Sequence, residues 1–96
     1  MLVLILALNC YQHCLESCSF DKASYFEAYI EKIISKGIKL YERNVFLYLK
    51  GFATYQMGEK KQGIKQMQEA MHIFEVLELP EQVAYYQEHF HKFVKV

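Results

Sequence analysis

An all-α fold is predicted by three features of this 96-residue sequence. Apolar residues recur at three- and four-residue steps along most of the chain, the spacing that stacks side chains on one side of a 3.6-period helix. No segment reads as a strand. Gly37, Gly58 and Pro80 fall between the periodic stretches, where helices stop and start. About five helices follow. Short connections favour antiparallel hairpins in a right-handed stack over a symmetric bundle, with residues 1–96 as one domain.

The most specific stretch is 44–80. Val45, Tyr48, Leu49, Phe52 and Tyr55 form one stripe, and Ile64, Met67, Met71, Phe74 and Leu77 form another. Between them lies a tight turn at Met57, Gly58 and Glu59, where glycine can take the left-handed conformation that ends a helix. Two helices linked so closely run antiparallel and close their stripes on each other. The order Gly51, Gly58, Gly63, Met67, Ala70 is close to the tetratricopeptide pattern, in which small residues let paired helices approach. Leu47 stands where that pattern has tryptophan, and its closing proline comes late, at Pro80. A generic helical hairpin is the plainer reading of the same residues.

Residues 1–17 are predicted to form a helix with Glu16 as its one charge. A helix apolar nearly all round is expected to be covered on several sides, here by missing upstream helices of a longer protein or by another subunit. Ser19 or Asp21 is expected to cap the next helix. That helix should run to about Lys36, bury Ala23, Phe26, Ile30 and Ile33, and stop at Gly37. Residues 38–43 read as a short connection, and Asn44 as the cap of the central hairpin. Pro80 suits the first turn of a last helix lined by Val83, Tyr86, Phe90 and Phe93.

Composition narrows the function. Eleven basic and eleven acidic residues leave a net charge of zero, without the basic footprint that phosphate contacts need. Direct nucleic-acid binding by this chain is therefore not expected. Residues 1–8 are continuously apolar but too few to span a membrane, and no basic residues precede them as in a signal peptide. Three cysteines, an odd number, suggest reduced thiols and a cytoplasmic protein.

Cys10, Cys14 and Cys18 recur every four residues, drifting by about 40° per step around a helix. One helix face cannot supply three ligands of a zinc tetrahedron without strain, so buried free thiols are the expectation. No metal site or cofactor is expected. His72, His89 and His91 have no carboxylate or cysteine at a catalytic spacing, and His89 and His91 fall on different faces. No catalytic residues are identified, and no enzymatic activity is expected.

Residues 41–51, Gly58-Glu59-Lys60, the helix end 70–74 and Ala84-Tyr85-Tyr86 together resemble the late repeat region of the Rgg/GadR/MutR family of transcription regulators. The likeness is strongest over 41–93. Members of that family carry an N-terminal helix-turn-helix domain followed by tetratricopeptide-like repeats, which dimerise and often bind short peptide pheromones. The DNA-binding domain has no counterpart here. The resemblance thus implies the C-terminal, ligand-sensing and dimerising end of a longer quorum-sensing regulator.

In a tetratricopeptide stack the first helix of each hairpin lines the concave surface. In the register of Gly51, Val45, Tyr48, Phe52 and Tyr55 are the residues expected to point into it. Aromatic faces with hydroxyl tips suit a short hydrophobic peptide. The equivalent face of the first helix offers Asn9, Gln12, His13 and Glu16, and an asparagine there can bond a peptide amide from both ends. Alternatively these aromatics are core, packed by the last helix. The chain then reads as a purely structural homodimerisation or protein-interaction module without a ligand. A homodimer is expected under either reading.

Overall fold

Five helices appear in the computed structural model, which describes residues 2–35 and 40–95. They are α1 (Leu2–Glu16), α2 (Phe20–Ile34), α3 (Leu40–Gln56), α4 (Lys60–Val76) and α5 (Pro80–Phe93), and no strand occurs among the described residues. α1 pairs with α2 and α3 with α4, α3 also packs on α1, and α5 follows α4 as the closing element. The expected stack of hairpins capped by a last helix is what forms. Among the described residues no helix is long and apolar enough to cross a membrane.

The three described turns share one geometry. Cys18, Gly58 and Glu78 have φ of 60°, 103° and 58°. Their amides bond back to the carbonyls of Leu15, Tyr55 and Glu75, and the next amides, on Ser19, Glu59 and Leu79, bond to Cys14, Thr54 and Phe74. This nested pair is the Schellman arrangement, which satisfies the carbonyls left free at a helix end. Ser19, Glu59 and Leu79 are also the N-caps of the following helices, and their carbonyls accept the amides of Ala23, Gly63 and Val83. In each of these three turns one residue thus closes one helix and opens the next. Only the middle turn has glycine at its left-handed position.

Between α3 and α4 the backbones meet. A Cβ on Gly51 would lie 2.9 Å from both Gln66 Cβ and Met67 N. A Cβ on Gly63 would lie 2.6 Å from the Gly51 carbonyl oxygen and closer still to the Tyr55 amide. Both neighbours of Gly63 are backbone, so neither can rotate away. Around this contact Val45, Tyr48, Leu49 and Phe52 interleave with Met67, Ala70, Met71 and Phe74, all buried. α1 adds Leu4, Leu8, Tyr11 and Leu15, and α5 adds Tyr86 and Phe90.

Several sequence expectations change. α3 begins at Leu40, so 40–43 are helix rather than connection. Asn44 is no cap: it is buried inside α3 and its Nδ2 donates across the hairpin to the Ala70 carbonyl at 2.8 Å. An asparagine four residues into a helix and one at its cap look alike in sequence; the closeness of α4 decides. Ser19 occupies the N-cap of α2 without a side-chain cap bond, because its hydroxyl meets Ser17 Oγ at 3.2 Å instead. Of the cysteines only Cys14 is buried, while Cys10 and Cys18 are exposed. The angular drift carries Cys10 off the buried face, and Cys18 lies past the end of α1 in the turn. The stops expected at Lys36 and Gly37 lie outside the described residues.

Three outcomes follow for stability. Glu78→Gly removes the left-handed penalty of a side chain and should raise stability by about 1 kcal/mol, whereas Gly58→Val should lower it by about 1–2 kcal/mol. Denaturant melts check both, and a neutral Gly58→Val would show that the turn relaxes without cost. Gly63→Ala adds one methyl where backbone cannot yield and should cost about 1–3 kcal/mol. A midpoint unchanged from the parent chain would mean that α3 and α4 separate freely.

Candidate functional site

α1, α3 and α5 come together on one side of the molecule, joined by side chains from all three. Tyr11 of α1 lies 5.8 Å from the Phe46 ring of α3. Tyr48 and Phe52 of α3 meet α5, with ring centroids 4.7 Å from Tyr86 and 4.8 Å from His89 respectively. α5 reaches past α3 to α1. Gln12 Nε2 donates to Tyr85 Oη at 3.0 Å and to Glu16 Oε2 at 2.9 Å, and His89 Nε2 lies 3.0 Å from the same Glu16 oxygen.

The chain of bonds continues inward from His89. Its Nδ1 is 2.9 Å from the Tyr48 hydroxyl, which is also 3.3 Å from the Tyr86 carbonyl oxygen. With Nε2–H donating to the carboxylate, Nδ1 of a neutral imidazole accepts from Tyr48. Burial pushes the Tyr48 phenol well above its ordinary range, helped by the nearby Tyr86, Tyr85 and Glu16, so it stays a protonated donor. Burial likewise lowers the His89 pKa, while Glu16 pulls it back up by charge and hydrogen bond. The relay Gln12–Glu16–His89–Tyr48 ties the first, last and central helices together through polar groups that satisfy one another.

This arrangement corrects the open aromatic groove. Tyr48 is 0 % exposed and Phe52 1 %, and Val45 is buried too. α5 lies directly on α3, so His89 and Phe93 cover Phe52 and Tyr86 covers Tyr48. Tyr55 is half-buried at the end of the stripe and accepts the Lys95 amide at 2.9 Å. Asn9 is exposed and Gln12 half-buried. Glu16 turns inward as the polar face of α1 allows, whereas His13 is exposed.

What remains open is a cleft between α1 and α5, bridged by the Gln12–Tyr85 bond. On one side a hollow of about 360 Å³ is lined by Asn9, Gln12, Tyr41, Tyr85 and Tyr86, with Glu81 and Gln82 at its edge. On the other side a hollow of about 290 Å³ is lined by Gln12, Glu16, Tyr85, His89, Lys92 and Phe93, with Glu88. A larger concavity of about 510 Å³ lies at the α4–α5 turn. Its polar liners Glu75, Glu78 and Gln87 are all exposed, so nothing there is built to hold a ligand in one orientation. The cleft between α1 and α5 combines the aromatic rings of Tyr41, Tyr85, Tyr86 and Phe93 with the donors and acceptors of Gln12, Glu16 and His89, a make-up that suits a binding site. Tyr41 and Tyr85 are the lining residues that stripe reasoning passed over. The doublet Tyr85-Tyr86 was the available signal, since neighbours on a helix point about 100° apart and one of them had to leave the core.

The family model for the C-terminal domain of the HTH-type transcriptional regulator Rgg matches residues 1–88. Among solved structures, the chain is similar to the SHP pheromone receptor Rgg2 of Streptococcus dysgalactiae, with a TM-score of 0.92 and 31% identity over 97% of this chain. A cysteine-to-serine variant of that receptor matches with the same TM-score, identity and coverage. The chain spans about a third of the length of these receptors, 35% and 34% respectively. No curated protein sequence matches it.

The relay has a pH signature. In the unfolded chain the imidazole keeps its ordinary value of 6.5, and in the folded chain it lies lower. Between the two values the unfolded state binds more protons, so stability rises with pH there and is lost as pH falls from 6.5 to the lower folded value. His89→Gln should flatten this profile in thermal melts recorded on either side of that pH. An equally steep profile in the variant would assign the slope to other groups.

Proposed function

The chain belongs to the family of HTH-type transcriptional regulators named for Rgg, within the C-terminal domain of that family, and we propose that it is a sensing region whose α1–α5 cleft binds a short hydrophobic peptide. The observation that carries this reading is the cleft itself. Asn9, Gln12, Glu81, Gln82 and the hydroxyl tips of Tyr41 and Tyr85 surround it, and the rings of Tyr41, Tyr85 and Tyr86 are its apolar surface. An extended peptide has amides to satisfy and apolar side chains to bury, and such a surface answers both needs. The similar solved proteins are receptors for a pheromone, which favours a signalling peptide over a metabolite. Asn9 and Gln12 are the backbone-bonding residues in this reading. Val45, Tyr48 and Phe52 support the cleft from behind, through Tyr86 and His89, and Tyr55 secures the chain end near Lys95.

We also infer a role in self-association, in a regulator acting in the cytoplasm. Ile5 and Leu6 on α1 and Tyr25 and Tyr29 on α2 are exposed, an apolar surface that a second copy can cover about a two-fold axis. Self-association without any ligand is the competing reading, and the same surface favours it.

Fluorescence anisotropy with labelled short hydrophobic peptides separates the two. Saturable binding that Tyr85→Ala or Gln12→Ala weakens about tenfold or more is expected. Sedimentation of the same samples should show a dimer with or without peptide. A dimer that binds no peptide would leave the structural reading standing, and a monomer at micromolar concentration would remove the self-association claim.

A further inference from the structure

Next to the cleft, a slot of about 120 Å³ sinks between α1, α3 and α5. Ile5, Leu8 and Val45 wall it together with Tyr41 and Tyr86, and Glu42 lines it as well. Glu42 is 7 % exposed, and its Oε1 has no hydrogen-bond partner among the described residues. Burying a carboxylate without a partner is costly. Glu42 lines the slot and carries an oxygen without a partner, so a donor that enters the slot and reaches this carboxylate finds a ready acceptor. The slot is smaller than a whole small-molecule site, which typically takes roughly 300 Å³ or more. Its size suits one side chain.

We propose that this slot is a side-chain subsite for a primary ammonium on an alkyl stem, the lysine type, carried by the peptide held in the neighbouring cleft; the proposal rests on the peptide-binding reading of that cleft. Asn9, Gln12, Tyr41 and Tyr86 line both the slot and the larger hollow, so one ligand can occupy the two together. The apolar walls take the methylenes, and the Glu42 oxygen takes the charged tip. The rings of Tyr41 and Tyr86 add an attraction for a cation that an alcohol or a carboxylate lacks.

Methyl NMR titrations of the full chain with n-butylammonium chloride, against 1-pentanol as the neutral probe of like shape, test this at matched ionic strength. Saturable shifts confined to Ile5, Leu8 and Val45 are expected, with ammonium bound about tenfold more tightly than the alcohol. Glu42→Gln, checked for folding by its melting curve, should abolish that preference. Equal affinity for the two probes, no saturable shift, or a preference that survives in Glu42→Gln would overturn the subsite. Should Glu42→Gln fail to fold, the comparison of probes on the parent chain decides alone. Paired hydrophobic peptides differing only in lysine or norleucine separate this failure from that of the cleft: equal binding of both removes the subsite and leaves the cleft reading intact. Binding of neither peptide, with n-butylammonium still seated, removes the cleft reading and leaves the slot as a site for free alkylammonium ions.

Discussion

The backbone contact between Gly51 and Gly63 is the constraint on which the remaining packing depends. With two Cβ atoms absent, α3 and α4 come close enough for the Asn44 amide to reach the Ala70 carbonyl. The same closeness lets Phe74 extend beyond its own hairpin and stack on Tyr86 of α5, with ring centroids 5.2 Å apart and an interplanar angle of 2°. A wider hairpin would carry Phe74 away from Tyr86, and with it the surface on which α5 lies. The position of α5 then determines that Tyr48 is covered and that Tyr85 faces α1. The cleft is thus a distant result of two missing methyl groups.

Polar chemistry sits where the apolar packing leaves room for it. Three aromatic rings, those of Tyr48, Phe52 and Phe93, lie within 5.5 Å of the His89 ring by centroid, yet both of its nitrogens have partners. Glu16 supplies one from α1 and Tyr48 the other from α3. Such a relay discriminates between arrangements of the helices more than it adds net stability, because a displaced α5 would leave a histidine and a carboxylate without each other. Glu42 is one exception to this satisfaction, a second carboxylate whose buried Oε1 has no partner among the described residues, as is also true of the side-chain oxygens of Asn44, Gln56 and Gln66.

Much of the architecture was legible because it depends on local chemistry. The stripes on α3 and α4, the turn at Gly58 and the start of α5 at Pro80 are each written within a few neighbouring residues. What escaped depends on partners far away in the chain. Periodicity shows that Tyr48 and Phe52 share an apolar face, but not that α5 covers it; the open groove expected there was a statement about a neighbour. His89 was correctly separated from His91, which is exposed, yet its carboxylate partner stands on α1, out of reach of any spacing rule. The turns near 19–21 and at Pro80 were legible, but the left-handed backbone of Cys18 and Glu78 was hidden for another reason. They repeat the backbone path of Gly58 with residues that carry no glycine signal.

The Glu16–His89 contact joins residues 73 positions apart, whereas each hairpin joins near neighbours. Loop closure over such a length loses more chain entropy than closure of a hairpin, and contacts of this kind form slowly. On these grounds the arch from α1 to α5 is expected to assemble after the two hairpins. Two hydrogen bonds, Gln12 to Tyr85 and His89 to Glu16, hold those helices to each other. Releasing them melts no helix. Breathing of the arch on the microsecond-to-millisecond scale of collective helix motions would widen the space between α1 and α5 while the pairing within each hairpin persists, at the cost of loosening the rings of α5 from Tyr48 and Phe52.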